Sequence, residues 1–201
     1  INDFFKPIDE WQEFIAEKPF VLRNISVTKS KILVEYLVNV CPEVFIFNYS
    51  GEEISRIPLP KYSSISGISA SREEEEFFYS IESFTFPKII YRFDPETNEY
   101  SDFKKTDNPI NPEDYDVRQE WCTSKDGTKV PMFVFHKKNV VLDGKNPTIL
   151  YGYGGFGSNQ EPSFFRNYVP WLERGGIFVV ANIRGGGEFG DVWHKSGIKE
   201  K

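Results

Sequence analysis

The feature that most restricts this chain is a strand-only pattern that returns after about 45 residues, the length of one four-stranded sheet unit. Ile32-Leu33-Val34 returns as Phe77-Phe78-Tyr79, Tyr36 as Ile81, Pro42 as Pro87 and Val44-Phe45 as Ile89-Ile90. Past that point the ladder slips by one residue, so that Phe47-Asn48 matches Phe93-Asp94. Hydrophobicity alternates within these stretches: Phe45 and Phe47 share one face, Val44 and Ile46 the other. Strands are expected over 31–40, 43–48, 53–59, 64–69, 76–81 and 86–93, with turns at Ser50-Gly51 and from Asp94 to Asn98. Such a repeat fits successive blades of a β-propeller. Two hairpin sheets of a sandwich are the competing arrangement.

The pattern changes after residue 105. Thr106 to Asp114 is polar and proline-rich, which marks a linker. We therefore divide the chain into partial propeller blades over 1–105, a linker over 106–113, and the truncated start of a second domain over 114–201. That domain opens with a hairpin: Asp116 to Ser124, a turn at Lys125-Asp126-Gly127, then Thr128 to His136. Thr148-Ile149-Leu150-Tyr151 is a short strand, and Phe164, Phe165, Tyr168, Val169 and Leu172 recur at helical spacing. Pro170 kinks that helix or opens its final segment, and Gly175-Gly176 caps it. Ile177 to Ile183 is a continuous apolar run, expected for a parallel strand buried on both faces. In such a βαβ unit the loops after the strands carry chemistry. Here they are 152–157 and 184–190.

Bulk properties narrow the function. Hydrophobic residues make up 39% of the 201 residues, enough for a packed core. A net charge of -6 argues against nucleic acid as a partner. The run Arg72-Glu73-Glu74-Glu75-Glu76 reads as a solvated turn. Cys41 and Cys122 have no neighbours at metal-ligand spacing, so no metal is expected, and two thiols so far apart suit a reducing, cytoplasmic compartment. No stretch reaches the ~18 apolar residues of a membrane helix, so no membrane partner is expected. The chain opens at Ile1 without a charged-then-apolar leader and stops at Lys201 directly after a motif, which reads as an internal fragment.

The first loop, Gly152-Tyr153-Gly154-Gly155-Phe156-Gly157, formally matches GxGxxG. A dinucleotide site needs a helix opening at once, with its N-terminus at the pyrophosphate, whereas Ser158 to Pro162 intervene here. Arg184 would tolerate a 2′-phosphate, so an NADP-dependent oxidoreductase is one reading, and it requires a helix beginning at Gly155 or Phe156. The other reading starts from the side chains. Tyr153 sits between two glycines at a strand end, and its neutral hydroxyl can donate one strong hydrogen bond. Aimed at a developing oxyanion, such a donor contributes about 10²–10³ in rate. Phe156 offers a flat apolar surface to a small ring. Ordinary core packing is the competing account of both aromatics.

Tyr151-Gly152-Tyr153-Gly154-Gly155-Phe156, the run Asn182-Ile183-Arg184-Gly185-Gly186-Gly187-Glu188-Phe189-Gly190, Trp193-His194 and the lead-in Ser124 to Met132 together resemble the prolyl oligopeptidase family. The likeness is close over 113–201 and lies only in the repeat before that. It implies a mixed fold, with C-terminal blades of a β-propeller followed by the start of an α/β-hydrolase domain. It also implies a serine endopeptidase that cleaves short peptides after proline through an acyl-enzyme, without cofactor. By resemblance Tyr153 supplies part of the oxyanion hole, Phe156 lines the pocket for the residue before the cut, and the propeller limits access to oligopeptide substrates. The 184–190 loop receives no catalytic role. The Ser, Asp and His of the family triad come later than Lys201, and no serine here has the G-x-S-x-G setting of a nucleophile elbow; Ser158 lacks the second glycine. The 201 residues alone are expected to be inactive and to fold poorly. His136, read as exposed or capped, and His194 are expected to be structural. A propeller acting only as a binding module, with 113–201 as dispensable decoration, is the remaining alternative.

Overall fold

The computed structural model describes residues 5–198, which form three four-stranded sheets. The first is an antiparallel meander of β1 (Val21–Val27), β2 (Lys31–Val38), β3 (Cys41–Asn48) and β4 (Glu53–Arg56). The second repeats it with β5 (Ser63–Ala70), β6 (Phe77–Ser83), β7 (Ile89–Asp94) and β8 (Glu99–Lys105).

The two sheets pack face to face. Leu33, Val44 and Ile46 of the first sheet share one buried cluster with Phe77, Tyr79, Ile81 and Phe93 of the second. The other face of the first sheet buries Ile32, Val34, Tyr36, Phe45 and Phe47. The alternation read from sequence is therefore a division between two cores, and β2 and β3 are covered on both faces. Each such side chain contributes ~1.5–3 kcal/mol by leaving water. Phe77 faces Phe93 across the strands with centroids 4.8 Å apart, and Tyr79 faces Tyr91 at 5.4 Å. Stacked pairs of this kind add ~0.5–1.5 kcal/mol each.

Several expectations need correction. β1 and β8 are further strands; both are mostly exposed, as outer strands of a sheet tend to be, β8 is polar, and the apolar residues of β1 do not alternate strictly. β4 stops at Arg56, ahead of Pro58 and Pro60, and β7 starts at Ile89 because Pro87 has no N–H for the ladder. The slip in the repeat also moves. Ile32 pairs with Phe47 and Phe77 with Phe93, so the extra residue lies in the β6–β7 connection, and Val44-Phe45 correspond to Ile90-Tyr91.

Asn39 and Val40 form the two-residue β2–β3 turn, with φ of 48° and 72°. Such a turn needs positive φ at both positions, and a valine there costs about 1–2 kcal/mol. Val40 is nevertheless fully buried, in a cluster with Phe84, Tyr115, Phe133, Phe135, Tyr168, Leu172 and Val180. Six of these eight residues lie beyond residue 113, four of them on strands of the third sheet. Residues beyond 113 thus share a core with the blades, contrary to the dispensable-decoration alternative.

The third sheet contains β9 (Tyr115–Thr123), β10 (Lys129–Lys137), β11 (Thr148–Gly152) and, after the helix α1 (Val169–Glu173), β12 (Ile177–Ala181). A second helix, α2 (Gly190–Lys195), follows. The order is β11-β12-β10-β9, with β11 parallel to β12 and the other pairs antiparallel. The helix expected from Phe164 is shorter, a 3-10 turn at Arg166–Tyr168 running into α1 with Pro170 in its first turn. Phe164 stays outside because its amide donates to Glu82 Oε2 at 3.1 Å. Gly175, at φ 82°, ends α1: its amide donates to Leu172 and that of Gly176 to Trp171, the paired bonds of a Schellman cap. β12 is shorter than the apolar run, ending at Ala181, and the Asn182 amide makes one further bond to β10, to the Pro131 carbonyl at 3.0 Å. β11 is an edge strand with every residue exposed, Leu150 at 68%.

Candidate active-site loops

The chain leaves β11 at Gly152 and turns immediately. The amide of Ser158 donates to the carbonyl of Gly155 at 3.0 Å, closing a turn whose central residues, Phe156 and Gly157, have φ of 56° and 67°. A left-handed phenylalanine is strained unless its surroundings hold it there, and such strain clusters at functional sites. Phe156 is 94% exposed, so burial of its ring does not account for the conformation.

The second loop supplies the hold. Gly157 N–H donates to Gly185 O at 3.0 Å, Gly185 N–H to Trp193 O at 3.1 Å, and His194 Nδ1 lies 2.7 Å from Gly185 O. The loops touch backbone to backbone: a Cβ on Gly154 would fall 2.3 Å from Arg184 O, and one on Gly185 2.4 Å from Gly154 O. His194 is thus engaged by the second loop's own backbone. His136 is not exposed; it is buried with Nδ1 2.8 Å from Lys137 O, far along β10 from these loops.

Tyr153 stands at the rim of this assembly. Its hydroxyl lies over Gly155, where a Cβ would sit 3.7 Å away, and the residue is 39% exposed. Among the described residues the hydroxyl makes no hydrogen bond. Among these residues it is a free donor and packs in no core. Tyr153 and Phe156 therefore lie on one loop, both open to solvent among the described residues.

Three contacts beneath the loops have no local sequence signal. Glu188 is buried, and its Oε1 accepts from Gln160 N at 3.0 Å and from Asn182 Nδ2 at 3.3 Å; Asn182 Nδ2 also donates to Gln160 O at 2.7 Å. Arg23 of β1 pairs with Glu161, tying the loop to the first blade. Arg184 pairs with Asp126, and that guanidinium, with the Thr128 amide, holds the Asp126 carboxyl well below the usual carboxylate range.

A dinucleotide does not fit here. No helix begins at Gly155 or Phe156, residues 158–165 have no regular structure, and Arg184 is engaged by Asp126. The oxidoreductase reading is corrected on that ground.

A family model for the prolyl oligopeptidase N-terminal beta-propeller domain matches residues 3–106, and one for the prolyl oligopeptidase family matches residues 162–201. The chain belongs to the prolyl oligopeptidase family. Its first two sheets are propeller blades, and its third begins the hydrolase domain. Prolyl endopeptidase of Elizabethkingia meningoseptica is 36% identical over 95% of this chain and 27% of its own length. Prolyl oligopeptidase A of Galerina marginata is 37% identical over 96% of this chain and 27% of its own. A solved prolyl endopeptidase superposes with a TM-score of 0.88 at 39% identity, over 95% of this chain and 28% of its own. Prolyl oligopeptidase B of Galerina marginata, bound to a 25mer macrocyclization substrate, superposes with a TM-score of 0.85 at 35% identity, over 92% of this chain and 27% of its own. The chain thus spans 27% of these prolyl oligopeptidase relatives' length, and Tyr153 and Phe156 lie between the two matched segments.

Proposed function

We propose that this chain is part of a serine endopeptidase that cleaves short peptides after proline through an acyl-enzyme. In this reading Tyr153 donates to the oxyanion of the tetrahedral intermediate, and Phe156 packs beside the residue preceding the cut. The observation that carries it is the Tyr153 hydroxyl, without a partner among the described residues, on a loop hydrogen-bonded to a second loop. A donor already fixed in place stabilises charge without reorganising when the charge appears. The exposed, left-handed Phe156 supports the pocket role, since the strain has no packing return within the described residues. The relatives named prolyl endopeptidase support the substrate class.

The same proposal divides the chain into blades over 1–105, a linker over 106–113 and the hydrolase start over 114–201; the change of sheet between β8 and β9 supports it. A cytoplasmic location belongs to it as well, supported by two free cysteines. A fluorophosphonate probe, which labels activated serines, tests the proposal together with a chromogenic proline peptide. The full-length protein is expected to be labelled and to cleave the peptide, and residues 1–201 alone to do neither. A full-length protein inert to both probe and peptide contradicts the reading.

A further inference from the structure

We propose that Arg184 is a positioning residue for Tyr153, clamping both glycine loops to the β9–β10 turn so that the hydroxyl keeps its aim. The inference rests on the oxyanion reading of Tyr153.

The guanidinium grips that turn at three points. Nη1 donates to the Asp126 carboxylate and to Thr128 Oγ1 at 3.4 Å, and Nη2 donates to Ser124 Oγ at 3.3 Å. The turn is itself braced: Ser124 N–H donates to Thr128 O at 2.8 Å, Gly127 N–H to Ser124 O at 2.9 Å, and Thr128 N–H to Asp126 Oδ1 at 3.1 Å. A planar fork reading three acceptors fixes a direction as well as a distance, which a lysine does not.

The backbone of Arg184 is the surface on which the first loop rests. Its carbonyl occupies the space a Cβ on Gly154 would need, and the next residue, Gly185, accepts the Gly157 amide. Gly154 adjoins Tyr153. The Tyr153 hydroxyl has no partner of its own among the described residues, so its direction is inherited from this backbone. A partly exposed ion pair adds little to stability. A displacement of about 1 Å at a reacting group, in contrast, costs about 10²-fold in rate. The consequence falls on aim more than on folding.

The test uses the full-length enzyme and a chromogenic proline peptide, with Arg184→Gln made in the wild type and in Tyr153→Phe. Arg184→Gln is expected to lower kcat about 10-fold with KM within about twofold, and Arg184→Lys to recover part of the loss. In the Tyr153→Phe background the same substitution is expected to cost no more than about twofold further, because its route to the chemistry is gone. Equal losses in both backgrounds, a change in KM alone, or an unchanged kcat in a protein of normal thermal stability overturns the proposal. If Arg184→Gln does not fold, Asp126→Asn in the same two backgrounds carries the test, since Asp126 is half exposed and its loss leaves the Ser124 and Thr128 contacts in place. A Tyr153→Phe enzyme as active as wild type removes the oxyanion reading and this proposal together. A Tyr153→Phe loss without the background dependence removes this proposal alone.

Discussion

The amide of Gly157 donates to the carbonyl of Gly185 at 3.0 Å, and this bond joins two loops that the sequence separates by a helix and a strand. One end of it adjoins the exposed Phe156; the other belongs to the loop that Arg184 anchors. The site is thus a property of two loops held together, and it is sensitive to changes in either.

Phe156 is the simplest place to separate strain from function. Its φ of 56° costs a phenylalanine about 1–2 kcal/mol that a glycine does not bear, and among the described residues its ring packs on no core. In the full-length enzyme Phe156→Gly is expected to leave the melting temperature unchanged or slightly raised while KM for proline peptides rises several-fold. A lower melting temperature with unchanged KM contradicts the pocket role.

Val40 tests the junction between blade and hydrolase start. It is fully buried in a cluster made mostly of residues beyond 113 despite its left-handed backbone. Val40→Ala leaves that backbone in place and removes buried methyl groups, so a destabilisation of about 2 kcal/mol is expected from lost transfer and cavity terms. Denaturant unfolding of the full-length protein reads this as a lower midpoint. An unchanged midpoint contradicts the shared core.

Glu35 of β2 gives a pH signature. Burial pushes its carboxyl above the usual range; Arg23 opposes the shift, and Glu161 adds to it. The folded state therefore holds the proton more tightly than the unfolded one. The resulting stabilisation is full below the ordinary carboxylate range and is lost as pH rises through the raised folded value. Glu35→Gln removes the charge, so it is expected to raise the melting temperature at pH 7 and to have little effect near pH 4. Equal effects at both pH values contradict burial as the cause.

Legibility from sequence follows the reach of each interaction. β2 and β3 were readable because alternate residues enter different cores, β6 because alternate residues enter one, and the Phe77–Phe93 pair repeats the Ile32–Phe47 pair of the blade before it. β1 and β8 were not, because exposed outer strands need no apolar face. The helix was overextended because Phe164 and Phe165 keep helical spacing while the amide of Phe164 is taken by Glu82, a long-range bond with no local trace. Tyr153 and Phe156 stand out as candidates because glycines bracket them. The Arg184–Asp126 pair and the Glu188–Gln160 contact were not, since each joins distant residues with ordinary local sequence.

The most direct test of the central claim is kcat for proline-peptide hydrolysis by the full-length enzyme with Tyr153→Phe beside wild type. Removing one oxyanion donor is expected to lower kcat by about 10²-fold, with the fold intact by circular dichroism and KM little changed. An unchanged kcat in the folded variant would mean that the Tyr153 hydroxyl, free as it is, does not meet the developing charge.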